Sequence, residues 1–433
     1  MRMIADLHIH SRFSRACSPQ LTLPNIAVWC AMKGIDVVAT GDFTHPQWRK
    51  EIGEQLEENT SGIFQCRMQN AECRIPGTQF ILGTELSCIY KKDGKTRRVH
   101  HLVLAPSLAA VDRMIAALEH RGCNLRADGR PILGLSSEAL LTICLEADPR
   151  TLLIPAHAWT PWFAVFGSES GFDSLEECFG DLAQHVPAIE TGLSSDPLMN
   201  WRVSALDRVA LVSSSDAHSL PNLGREATVL EVASLTFDAL AAALRASAPS
   251  VYDSTASHRI IETIEFFPEE GKYHVDGHRA CDVRLMPSET KRRNGICPQC
   301  AKPVTVGVLA RVDKLADRAE EFVPPHAPTF RRIVPLEEII AEAFGVVSST
   351  KRVLATYDQL ISHVGHEFHV LLEADCDVIA RASSPEVAEA IRRVRAGELD
   401  IAPGYDGEFG TVRIFTDARP RPVSVQRALL GLG

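Results

Sequence analysis

Asp6, His8 and His10 stand in DLHIHS, directly behind the apolar start of the chain. Asp42 and His45 close IDVVATGDFTH, and Glu85 lies in QFILGTELS. His100 and His101 fall in RVHHLVLAP, His157 follows LLIPA, and Asp216 and His218 end VALVSSSDAH. Side chains two apart on a strand share a face, so His8 and His10 can bind one ion together, as can Asp216 and His218. Imidazoles mixed with carboxylates suit Zn, Mn or Fe, and a carboxylate such as Glu85 can serve two ions a few ångströms apart. One histidine at a strand end is usually structural. Two such pairs plus single ligands on successive strands point instead to a polynuclear metal site with phosphoesterase chemistry.

A second group has a different character. His278-x-x-Cys281 and Cys297-x-x-Cys300 are separated by fifteen residues, a spacing that fits a zinc ribbon with closed tetrahedral ligation. So short a segment buries little core, so bound metal would supply much of its folding energy. Residues 278–332 hold eleven Lys/Arg against six Asp/Glu, and KKDGKTRR (91–98) holds five against one. Lys95, Arg97, Arg98, Arg292 and Arg293 are accordingly candidate contacts for a polyanion such as DNA. The formal net charge of −10 speaks mildly against nucleic acid, but binding follows local patches.

The elements that must position these residues alternate. Short apolar runs at 35–42, 79–87, 98–106, 152–157, 188–192 and 209–218 are separated by helical patterns such as 109–122 and 204–209. That alternation predicts parallel α/β, and a β/α barrel gathers its site at the C-terminal ends of its strands. At 433 residues, with 45% hydrophobic and 23% charged residues, the chain is globular and too long for one core. The pattern breaks near residue 258, and VPPHAP (323–328) reads as a linker. We therefore expect a barrel over 1–265, a zinc-binding module over 266–322, and a helical domain over 323–433 ending in a hairpin. The start lacks the apolar core of a signal peptide, and no run is long enough to span a membrane. Twelve mostly scattered cysteines suit a reducing compartment, so a cytoplasmic protein is expected.

The order H-x-H, Asp, Glu, His, His, D-x-H resembles the PHP superfamily of distorted (β/α)7 barrels. That resemblance implies two or three divalent ions (Zn2+, Mn2+ or Mg2+) on His8, His10, Glu85, His157, Asp216 and His218. In TGDFTH, Phe43 replaces a family histidine, leaving Asp42 or His45 as the ligand. His101 is preferred to His100 because HLVL matches the family's strand. Longer stretches, including TGDFTHP, DGRPILGLS, IPAHAWTPWF, IETGLSSDPLMNW, GICPQC and PGYDGEFG, resemble the endonuclease Q family nearly end to end. The implied activity is nicking of double- or single-stranded DNA 5′ of deaminated bases (uracil, hypoxanthine, xanthine) or abasic sites, leaving 3′-hydroxyl and 5′-phosphate ends. Metal-activated water would attack the phosphodiester, with Asp216, Glu85 and His157 as the catalytic set. Trp159, Trp162 and Phe163, close behind His157, would then stack on a base turned out of the helix, or else simply pack the rim. Other readings are a phosphatase of a small phosphoester and a non-catalytic DNA-binding adaptor.

Overall fold

The computed structural model describes residues 1–67 and 77–416. Arg2–Asp6 lies at the centre of the main sheet, parallel to Val37–Ala39, which is in turn parallel to Gln79–Lys92. Lys95–Ala105 turns back antiparallel on Gln79–Lys92 and pairs with Leu152–Pro155. Ala188–Glu190 runs parallel to Ala210–Val212. Backbone bonds from Ala158 N to Glu190 O and from His10 N to Ala217 O close these seven strands into a distorted barrel. Strands such as VVA and LLIP are buried along their whole length, which is why they read as unbroken apolar runs.

One departure from the expected alternation decides the site. Gln79–Lys92 and Lys95–Ala105 form a long hairpin whose two turn residues, Asp93 and Gly94, both have positive φ (52° and 74°). That is the backbone a tight right-twisted hairpin requires, and Asp-Gly supplies it. The strand bearing His100 and His101 is therefore antiparallel, and its histidines lie in mid-strand. The segment expected as a helix at 204–209 is only a 3-10 turn at Ser204–Arg208, too short to bury a face of its own.

Helices Leu23–Lys33, Pro46–Gln55, Leu108–His120, Ser137–Ala147 and Phe237–Ala246 lie outside the strands. Ser107, Ser136 and Thr236 cap three of them by accepting main-chain N–H bonds. Beyond the barrel, Asp276–His278 and Val283–Leu285 form a small hairpin. Thr329–Arg332 then joins the barrel's sheet beside Arg259–Glu265. Five helices between Leu336 and Ala396 follow, then the expected hairpin, Asp400–Ala402 with Thr411–Arg413. A buried ion pair, Lys33 Nζ to Glu367 Oε2 at 2.7 Å, fixes the helical part to the barrel, with the Tyr357 hydroxyl donating to the same oxygen. Among the described residues no helix is long and apolar enough to cross a membrane.

Inside the barrel wall, Glu226 and Glu265 are both fully buried. Burial pushes the Glu265 carboxyl up to about 8, although hydroxyls of Thr191 and Ser213 donate to it. Between an unfolded value near 4.5 and about 8, the folded chain holds a proton that the unfolded chain has released. Stability should therefore fall as pH rises through that window, by up to about 1.4 kcal/mol per pH unit. Glu265→Gln should flatten this slope, raising the melting temperature at pH 8 more than at pH 5. Equal shifts at both pH values would rule the carboxyl out as the source.

Candidate metal centre

Glu85 is the hub. Its Oε1 lies 2.7 Å from His100 Nδ1 and 3.2 Å from His157 Nε2. Its Oε2 lies 3.1 Å from His10 Nε2 and 3.0 Å from Arg130 Nη1. Two sets of ligand atoms thus converge and share Glu85: His8, His10, Glu85 and Asp216 form one, Glu85, His100 and His157 the other. The atoms of each set lie within 4.8 Å of one another. His8 Nε2 provides an independent sign that this donor set fits a cation. It is fully buried between Glu85 and Asp216 and has no hydrogen-bond partner.

The backbone is strained where these residues project. Asp42, His157 and Asp216 all have positive φ (47°, 32° and 46°) at the ends of their strands. Such conformations cost on the order of 1 kcal/mol or more each and gather where geometry serves a site. Gly192 permits the His157 bend, because a Cβ there would sit 2.6 Å from His157 Cβ.

Buried charge is balanced tightly. Burial opposes protonation of His8 and His10, yet carboxylates hold both well above the ordinary imidazole range. Glu190, Glu85 and Asp216 do so for His8, and Asp42, Asp216 and Glu85 for His10. Burial likewise opposes ionisation of Glu85 and Asp216. His100, Arg130 and His8 nevertheless keep Glu85 well below the usual carboxylate range, and His218, His8 and His10 do the same for Asp216. Burial brings His100 and His218 down to about 4, so both are neutral imidazoles at pH 7.

Several expected residues stand elsewhere. His101 does not reach the cluster, whereas His100 does. Ser87 pairs with His100 across the hairpin and shares a face with Glu85, while Leu86 pairs with His101 on the opposite face. There His101 Nε2 lies 2.8 Å from Ser137 Oγ, in the core. Asp42 does not converge with either ligand set. It accepts from Ser11 N, Ser11 Oγ and Ser14 Oγ and lies 3.0 Å from His10 Nδ1, so it orients His10. His45 stands at the N-cap position of the helix that follows, with no side-chain cap bond, and stacks on Phe13 at 4.4 Å. His218 packs its ring 4.6 Å from the His10 ring, with Nδ1 2.8 Å from its neighbour's Asp216 carbonyl oxygen. Asp6 accepts N–H bonds from Ser215 and Gly224 and so braces the loop carrying Asp216.

Glu190 was not anticipated. Both of its oxygens lie 3.0 Å from His8 Nδ1, and one accepts the His157 N–H at 2.8 Å. The carboxylate at the end of the AIE strand was its only sequence signal. Arg130, on Glu85, was missed as well.

The aromatics divide. Trp159 is 1% exposed, donates Nε1–H to Asn200 Oδ1 at 2.7 Å and packs on Phe166, so it is core. Trp162 is 39% exposed and meets Tyr273 edge-to-face, and Phe163 lies 4.7 Å from the His100 ring. Together with His157, Arg225 and Phe409 they line a cavity of about 400 Å³ that opens beside the cluster. Of the basic candidates, Lys95, Arg292 and Arg293 are exposed and Arg98 half-buried. Arg97 is withdrawn from any surface. Its guanidinium stacks on Phe172 at 4.1 Å and donates to Gly171 O, because it lies on the His101 face of the hairpin, which the chain at 171–172 covers. His278, Cys281, Cys297 and Cys300 bring their ligand atoms together in a second centre, as their spacing predicts.

A distorted barrel with this strand-end cluster is the PHP type of hydrolase, and a PHP-associated family model matches residues 206–249. A second model, the MJ0043 C-terminal domain, matches 335–398. The crystal structure of the lesion-specific endonuclease PfuEndoQ from Pyrococcus furiosus superposes with a TM-score of 0.83 at 31% identity, covering 96% of each chain. An endonuclease Q structure with a 27-mer duplex bearing an abasic lesion at its active site gives 0.81 at 31% identity, covering 98% of this chain and 99% of that one. Uncharacterized protein YqxK of Bacillus subtilis is 30% identical over 95% of this chain and 99% of its own. Uncharacterized protein MJ0043 of Methanocaldococcus jannaschii is 31% identical over 59% of this chain, which spans only 31% of that longer protein. The chain belongs to the endonuclease Q family.

Proposed function

We propose that this chain nicks DNA on the 5′ side of deaminated bases and abasic sites. The observation that carries the reading is the aromatic-lined cavity of about 400 Å³ opening directly beside the Glu85 cluster. A nucleotide turned out of a duplex needs such a cavity within one phosphate of the reacting centre. A phosphatase of small phosphoesters needs neither the exposed Lys95, Arg292 and Arg293 nor a thiolate-bound module.

Divalent ions (Zn2+, Mn2+ or Mg2+) held by the cluster supply Lewis acidity and a water reactive at neutral pH. The protein's own groups prepare that site. Glu190 and Asp42 accept from Nδ1 of His8 and His10, so that a cation displacing the second proton of each ring would find the Nε2 lone pairs turned towards Glu85 and Asp216. Arg225 donates to the carbonyls of Ser215 and Asp216 and so fixes the bent backbone that aims Asp216. Trp162, Phe163 and Tyr273 offer ring faces to the displaced base and keep water from it.

The direct test uses end-labelled duplexes that are undamaged or carry one uracil, one inosine or one abasic site. Nicks confined to the damaged duplexes, with 3′-hydroxyl and 5′-phosphate ends, are expected. Equal cutting of undamaged DNA, or none of any duplex, rejects the reading.

In the second centre, three thiols and one imidazole make a soft, closed set that suits Zn2+. Cys297 is 1% exposed within a small core of Val283, Leu285 and Val304, so metal loss should also unfold the module. Cys297→Ser should release one zinc by mass spectrometry and weaken duplex binding, leaving the barrel's metal count intact. An unchanged zinc count would remove Cys297 from the ligand set.

A further inference from the structure

Arg130 belongs to DGRPILGLS, a stretch that no role described so far explains. Its placement is more tightly fixed than a surface loop requires. Arg130 N donates to Asp128 Oδ1, which also accepts from Arg15 N. Gly129 N donates to Phe13 O, and Pro131 O accepts from Ser87 N, on the strand that carries Glu85. No side chain fits at Gly129, where a Cβ would stand 2.4 Å from Ser14 Oγ and 2.5 Å from Asp42 Oδ2. The loop is thereby held against the strand ends on both sides, and Arg130 is carried over the cluster.

The guanidinium is only partly committed there. Nη1 donates to Glu85 Oε2, and among the described residues Glu85 is its one hydrogen-bonding partner. The side chain is 27% exposed, so part of the guanidinium remains within reach of a bound molecule. Its side is also defined. Glu85 Oε1 faces His100 and His157, which line the aromatic cavity, whereas Oε2 faces His10 and Arg130. Arg130 and the cavity histidines thus meet different oxygens of the same carboxylate.

We propose that Arg130 is a catalytic residue that grips a non-bridging oxygen of the scissile phosphate, on the Glu85 Oε2 side of the cluster. The assignment rests on the phosphodiesterase reading above. In that reaction a water oxygen bonds to phosphorus and the P–O3′ bond breaks. The leaving oxygen ends as a hydroxyl, and the arginine keeps its proton throughout. Negative charge on the equatorial oxygens is what a fixed, permanently charged planar fork stabilises, and a point-charge lysine matches that geometry less well.

The alternative is that Arg130 merely holds Glu85 in place, and the two roles separate experimentally. Arg130→Met should retain the wild-type metal count and melting temperature. It should bind inorganic phosphate, titrated calorimetrically into the metal-loaded protein, at least about tenfold more weakly. Its kcat should fall about 100-fold or more, both on an abasic duplex and on bis(4-nitrophenyl) phosphate, as removal of one oxyanion donor does elsewhere. Arg130→Lys should recover part of the phosphate affinity. Loss of bound metal, or phosphate affinity and both rates within threefold of wild type, would overturn the proposal. Wild-type protein that hydrolyses the small diester but nicks no duplex would reject the DNA reading instead, and Arg130 would still be judged on the small diester.

Discussion

Glu85→Gln will reduce nicking of an abasic duplex by at least about 10⁴-fold. Glu85 is the one residue common to both ligand sets, with Oε1 turned to one and Oε2 to the other. A carboxamide has nearly the same shape but carries no charge, and only one of its two end atoms can accept. Both barrel ions should therefore be lost or bound weakly. Asp216→Ala touches a single set and should remove fewer ions, though it too should abolish turnover. The fold should survive, since Glu85 sits within the eleven-residue pairing of Gln79–Lys92 with Lys95–Ala105, which its side chain does not make. Metal content, single-turnover nicking and the circular dichroism melt check this together. Activity within tenfold of wild type at an unchanged metal count would show that the shared carboxylate is not the hub.

How much of this was legible depended on range. Cys281, Cys297, Cys300 and His278 were readable as a group because a pair of two-residue spacings is a local signal, and the structure brings their ligand-type atoms within 4.8 Å of one another. His8, His10 and Asp216 were readable because a short strand with a polar end has one direction to point. His100 and His101 were not, because adjacent residues face oppositely and only the cross-strand register tells which face looks inward. A signal did exist: Asp93-Gly94 between two extended runs marks a tight hairpin, and the pairing counted from that turn places Ser87 opposite His100. Arg97 follows from the same register. A basic run reads as a solvated loop, yet Arg97 shares the His101 face of its strand, away from the cluster, and finds an aromatic ring and a carbonyl covering it there. Glu190 and Arg130 meet partners far away in sequence, so no local spacing announces them.

The two tryptophans of IPAHAWTPWF should give opposite results on substitution. From sequence they are equivalent, two aromatics behind a strand-end histidine. The backbone separates them: the chain folds over between His157 and Phe163, whose φ values are 32° and 63°, so that Trp159 drops into the core and Trp162 stays at the mouth. Trp159→Ala deletes a fully buried indole and leaves Asn200 Oδ1 without its donor, so it should destabilise the barrel by about 3–5 kcal/mol. Its melting temperature should fall, and its nicking rate should fall alike on every substrate. Trp162→Ala removes a ring that is 39% exposed and should leave the melting temperature nearly unchanged. Its cost appears only when a base has to be held outside the helix. Stacking recovers about 1–3 kcal/mol per base, so the rate on uracil opposite guanine should drop roughly five- to 150-fold. An abasic site has no base to stack and should be nicked at close to the wild-type rate. Equal losses on the two duplexes at an unchanged melting temperature would reject Trp162 as the stacking face, leaving Phe163, Phe266, Tyr273 and Phe409 as the remaining aromatic side chains of that cavity.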